Sequence, residues 1–178
     1  MDNSRRSPNV TKKVAYMKKN MLVVLISHFI ISLICFFSEA PIYQYQWDNG
    51  GSFVSSNKLL TYSLYVLAVL HYIFILFLYF AVGRRFLKFL NSYKSSLLSV
   101  WYLGAIFLII NIIALLCFGD DRPEDIMGIA LLVYPLFIPL VSIPINEFIA
   151  LFVAAVLPSL FLWFGMISKK SRIRVTAD

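Results

Sequence analysis

Residues 59–82 read LLTYSLYVLAVLHYIFILFLYFAV, and Gly83-Arg84-Arg85 follow at once. The stretch holds 24 residues without a formally charged side chain. As an α-helix it is about 36 Å long at about 1.5 Å per residue. A bilayer's hydrocarbon core is about 30 Å thick, so the segment spans it with a modest tilt. In lipid every backbone N–H and C=O has to be satisfied within the segment, which makes it a helix. The two arginines then mark its cytoplasmic end.

Composition agrees with that reading. Of 178 residues 60% are hydrophobic and 14% charged, and the mean hydropathy is +0.80. Soluble domains carry roughly 45–50% apolar and about 25% charged residues. The chain therefore reads as one integral-membrane domain over residues 1–178. Its net charge of +7 raises nucleic acid as a partner, and the distribution of charge excludes it. Six of the sixteen Lys and Arg lie in residues 1–20, four in 83–95 and four in 168–178. Seven of the nine acids, Glu39, Asp48, Asp120, Asp121, Glu124, Asp125 and Glu147, lie in the other segments. Cations confined to alternate loops are the positive-inside pattern.

Working outward, residues 1–20 read as a basic cytoplasmic tail, disordered or resting on anionic headgroups. Residues 21–38 follow as a first span. A signal peptide with a cleavage site at Ser38-Glu39-Ala40 is disfavoured, because the apolar run exceeds the usual length and Pro41 would begin the mature chain. In residues 38–58 the alternation Ile42-Tyr43-Gln44-Tyr45-Gln46-Trp47 precedes Asp48-Asn49-Gly50-Gly51. This predicts either a short β-hairpin with Tyr43, Tyr45 and Trp47 on one face or an interfacial aromatic belt. The basic loop 83–95 leads to a third span at 97–118, and a fourth lies at 148–167. Between them, 126–146 carries Pro135, Pro139 and Pro144. It is expected on the outer face as a re-entrant or interfacial segment, because a fifth span would carry the basic tail 168–178 outside. The predicted fold is an all-α membrane protein of four transmembrane helices (about 21–38, 59–82, 97–118 and 148–167), with both termini cytoplasmic.

Polar groups inside the membrane are functional candidates, because hydrocarbon makes them costly. His28, His71 and Asn111 stand about 10, 16 and 21 Å from the cytoplasmic ends of their helices. Histidines on adjacent helices can ligate haem, but their simplest role is a hydrogen bond across a helix interface. Glu147 stands where the last helix begins and suits its N-terminal dipole, with Asn146 as a cap; an outward-facing site for a cation or amine is the alternative. Ala150/Ala154 and Ala155/Ser159 are small residues at close-packing spacing, for a neighbouring helix or a second copy. Cys35 and Cys117 both fall in the outer half of the membrane and read as packing thiols rather than a bridge. No GxSxG, HExxH, phosphate-cradling glycine loop, CxxC pair or paired intramembrane carboxylates occur, so no enzyme class, cofactor or metal is implied.

A protein that presents surface within and beside a bilayer remains. The leading expectation is a small multi-pass protein of the cell (inner) membrane that acts by protein–protein recognition. Its partner is another membrane protein or a second copy, and its candidate binding residues are Tyr43, Tyr45, Trp47, Glu147, His71, Asn111 and His28. In size and in having four spans with both ends cytoplasmic, the chain resembles the immunity proteins of pore-forming colicins. That likeness is architectural and implies recognition, of the immunity, exclusion or accessory-subunit kind. The alternatives are a channel or transporter subunit using 126–146 as a pore element, and a bis-His haem protein. The charge asymmetry makes a direct prediction: green fluorescent protein fused after Asp178 fluoresces, whereas alkaline phosphatase at the same site is inactive.

Overall fold

In the computed structural model, which describes residues 8–48, 58–90, 92–118 and 147–175, each apolar run outside 119–146 is a helix. They are α1 (Pro8–Asp48), α2 (Lys58–Phe86), α3 (Tyr93–Phe118) and α4 (Glu147–Val175). Each holds a window long and apolar enough to cross a membrane: Lys12–Ser38, Tyr62–Phe86, Tyr93–Ile110 and Phe152–Lys169. The chain is thus all-α among the described residues, with four helices fit to span a bilayer.

The helices run further than their apolar cores. α1 has 41 residues, about 60 Å of helix and twice the hydrocarbon thickness. Pro8 opens it, where a missing N–H costs nothing. Residues 8–20 are helical, not the disordered tail expected from their charge: Lys, Ala and Met are good helix formers extending a helix already nucleated by the span. At its other end α1 continues through Pro41 to Asp48, which overturns the hairpin over the described residues 42–48. A two-stranded ribbon is marginal by itself, whereas a continuing helix satisfies its backbone locally. Positions 43 and 47 are consequently one helical turn apart, with position 45 on the opposite side. The rest of the hairpin and the segment 126–146 lie outside the described residues.

Cross-helix contacts set the directions. His28 meets Tyr79 and Ser38 meets His71, so α1 and α2 are antiparallel. Asn20 meets Ser99, Met21 meets Tyr102 and His28 meets Phe107, so α3 runs parallel to α1. Ser159 bonds the Val100 carbonyl and Gly104 abuts Ala155, so α4 is antiparallel to α3. The start of α1, the 87–92 turn and the end of α4 therefore share one end of the bundle, which holds most of the cations. Phe118 and Glu147 share the other end, with Glu39 and Asp48.

Around the bundle the helices follow the order α1, α2, α4, α3, the most extensive interface being α2 with α4. Val24, Ile31, Ile75, Tyr79, Leu103, Leu162 and Met166 fill the centre. Phe29, Phe37, Leu59 and Phe77 point outward at 60–75% exposure, an apolar exterior suited to lipid.

Because lipid tails are as apolar as the side chains, helices associate in a membrane through close packing rather than hydrophobic expulsion. Glycines provide that closeness here. A Cβ on Gly83 would lie 2.1 Å from the Leu162 carbonyl oxygen, and one on Gly165 would lie 2.1 Å from the Phe80 oxygen. Gly83, next to the arginines that seemed to end the span, is instead a contact point, and α2 continues past it to Phe86. On α3, Gly104 receives Ala155 and Ser159, so that small-residue pair packs within the chain. Gly165→Ala is expected to force α2 and α4 apart and cost about 1–3 kcal/mol, read by equilibrium unfolding in detergent. Ile149→Ala, on an exposed face, is the control and should stay within about 0.5 kcal/mol.

Candidate functional site

Two buried polar clusters join the helices. The first lies at the basic end, where the chain leaves α2 at Phe86 and crosses to α3. Leu87 and Leu90 are buried, so the turn between them is drawn against the bundle, with the Lys88 side chain exposed and its backbone partly buried. Asn20 of α1, 2% exposed, takes both polar groups of Lys88: its Nδ2 donates to the Lys88 carbonyl at 2.8 Å and its Oδ1 accepts the Lys88 N–H at 3.1 Å. The second Nδ2 hydrogen goes to Ser99 Oγ at 3.2 Å. Ser96 treats Leu90 in the same way, accepting its N–H at 2.9 Å and donating to its carbonyl at 3.4 Å. Ser92 caps α3 by accepting the Ser95 N–H at 3.2 Å, the role its hydroxyl suits. The Tyr102 hydroxyl donates to the Met21 carbonyl beside them.

The second cluster lies deeper. The Tyr79 hydroxyl and His28 Nδ1 are 2.7 Å apart, with His28 6% exposed and Tyr79 fully buried. The Phe107 ring packs on the imidazole with centroids 4.4 Å apart, and Cys35, 1% exposed, belongs to the same core. This links α1, α2 and α3. Ser159 Oγ of α4 donates to the Val100 carbonyl at 3.2 Å. Among the described residues Trp163 Nε1 is the one buried side-chain nitrogen or oxygen lacking a hydrogen bond.

Of the candidates from sequence, the two whose side chains are described, His28 and His71, are not brought together. His28 is a buried packing hydrogen-bonder. His71, half-buried, faces Ser38 Oγ at 3.4 Å. The register of α1 against α2 sets the two histidines roughly ten residues apart, about 15 Å along the axis, too far to ligate one iron. Tyr43, Tyr45 and Trp47 are on the last turns of α1, and Asn111 is on α3 and Glu147 at the start of α4. The side chains of these five, and of Cys117, lie outside the described set. No three His, Cys, Asp or Glu side chains converge among the described residues. Asn20 was missed because it closes a lysine-rich stretch and reads as tail. The available signal was the break it serves, the non-helical turn at 87–92. Compared with known proteins, the chain matches no family model, no curated protein and no solved structure.

The geometry ranks the clusters. Asn20→Leu leaves the partly buried Lys88 N–H and C=O without partners, at about 1–3 kcal/mol for each group. Tyr79→Phe removes one bond from a pair that, by precedent in membrane bundles, couples by about 0.6–1.7 kcal/mol. Unfolding in detergent should therefore place Asn20→Leu clearly below Tyr79→Phe in stability, and the reverse order would refute the ranking.

Proposed function

We propose that this is a small multi-pass protein of the cell (inner) membrane that acts without catalysis, by recognising another membrane protein, as immunity, exclusion and accessory-subunit proteins do. Its basic end faces the cytoplasm and its acidic end faces out, following the distribution of lysine and arginine.

The observation that carries this reading is the reach of α1 and α2 at the acidic end. In the register set by Asn20 with Ser99 and His28 with Phe107, α1 passes the level of Phe118 by roughly nine residues, about 13 Å. α2 begins at Lys58, close to the level of Asp48 in the register set by His28 with Tyr79. At this end α1 runs ten residues past Ser38, where its apolar window closes, and α2 begins four residues before its own window at Tyr62, so the two form an arm outside the apolar windows. It carries Tyr43, Tyr45 and Trp47 on α1, with Leu59 and Tyr62 of α2 exposed at 75% and 68%. Tyr and Trp on a rigid element are the residues that most often dominate binding energy. A shallow, open hollow of about 330 Å³ lies along the outer face of α2, lined by Tyr62, Ser63, Val66, Leu67 and Leu70. The buried histidine, asparagine and serines are meanwhile engaged in holding helices together, which supports recognition over a hydrated path through this bundle.

A photoreactive amino acid in place of Tyr43 or Trp47, activated in intact membranes, should trap one discrete partner. The same probe at Ile109, on the exposed face of α3, should trap none. Equal labelling at all three positions, or an ion flux in proteoliposomes that His71→Leu abolishes, would replace recognition with transport.

A further inference from the structure

We propose that the basic end of the bundle holds the headgroup of an anionic phospholipid, in a cluster made by Lys12, Lys13, Tyr16 and Lys19 of α1 with Lys88 of the turn after α2. Lys12 and Lys13 precede Tyr16 by four and three residues and Lys19 follows it by three, so all four stand on one face of the helix. The three lysines are exposed, and Tyr16 is 41% exposed. Lys88 completes the group from another element: its ammonium lies 4.5 Å from the centre of the Tyr16 ring. The reach of that side chain is set by the Asn20 clamp on the Lys88 backbone.

Three lysines along the Tyr16 face of α1 and a fourth over its ring repel one another, and nothing described at this end offsets them. The acidic residues within the described segments, Glu39, Asp48 and Glu147, are all at the other end. The cluster calls for an anion that the described residues do not provide there. Its position identifies which: it stands at the start of the Lys12–Ser38 window, at the depth where a spanning helix meets phosphate groups. Tyrosine favours that interface, with its ring in the apolar layer and its hydroxyl toward phosphate. A headgroup with net negative charge fits, such as phosphatidylglycerol. A zwitterionic one brings its own ammonium into the lysines and does not fit. Because Lys88 is held by its backbone, part of the ordering cost of binding is met before the lipid arrives. The inference concerns the end opposite the recognition arm and stands independently of it.

The test uses the full chain, delipidated in a neutral detergent and titrated with phosphatidylglycerol or phosphatidylcholine in mixed micelles, with retained lipid counted by native mass spectrometry. Phosphatidylglycerol should be retained in preference, and raising salt from about 0.05 to 0.5 M should erase the preference as screening shortens. Lys88→Gln should weaken retention on the order of fivefold, with a similar loss for each of Lys12→Gln, Lys13→Gln and Lys19→Gln. Lys169→Gln, at the same end but off the cluster, should bind as the unaltered chain does. The proposal is overturned if the four-lysine variant, shown helical by circular dichroism, keeps its preference. It is equally overturned if Lys169→Gln loses as much as Lys88→Gln, or if a soluble glutamate peptide is bound in place of either lipid.

Discussion

A peptide group buried away from water has to find its partner within the protein, and at one place in this chain a helix cannot supply it. Between Phe86 and Tyr93 the backbone leaves one helix and has not begun the next, yet Leu87 and Leu90 press it against the bundle. Asn20 and Ser96 each take both the N–H and the C=O of one residue there. An amide side chain suits the task because it carries donor and acceptor in the geometry of a second peptide group. The turn is thereby tied to α1 and α3 together. That tie sets one end of the register between the first helix and the hairpin that follows it, which His28 with Tyr79 and Phe107 continues deeper in the bundle.

Much of the fold was legible in the residues. Hydrocarbon admits few solutions, so uncharged runs such as 59–82 became helices, and each predicted span, 21–38, 59–82, 97–118 and 148–167, lies wholly inside one helix. What hydropathy does not set is where a helix ends outside the lipid. The charged residues 8–20 and the alternating residues 42–48 are both helical, because a helix once formed is extended cheaply by residues of ordinary propensity. Period-2 alternation predicts a strand only where a partner strand is at hand, and here the alternating residues 42–48 prolong a helix already formed.

The site was less legible, for a related reason. His28 stood out because it is polar within an apolar run, and it is indeed buried, bonded to Tyr79. Asn20 did not stand out, because it sits among lysines and only the third dimension brings it to a non-helical backbone some 68 residues away in sequence. Gly83 was hidden likewise. Beside Arg84 and Arg85 it looks like a terminus, and only the approach of Leu162 reveals it as a contact. Long-range partners leave no local trace in composition or period, whereas Ala155 and Ser159 could be read because their spacing lies within one helix.

The order of helices around the bundle bears on how the molecule is made. α2 and α3 follow one another in the chain, yet α4 lies between them, its own glycine and small residues set against Gly83 on one side and Gly104 on the other. A ribosome delivers α4 after the other three helices. Until it arrives, the notches at both glycines face lipid, and the first three helices are held chiefly by Asn20, His28 and Tyr102. Closure thus waits on α4, because the two glycine contacts that complete the bundle both belong to it.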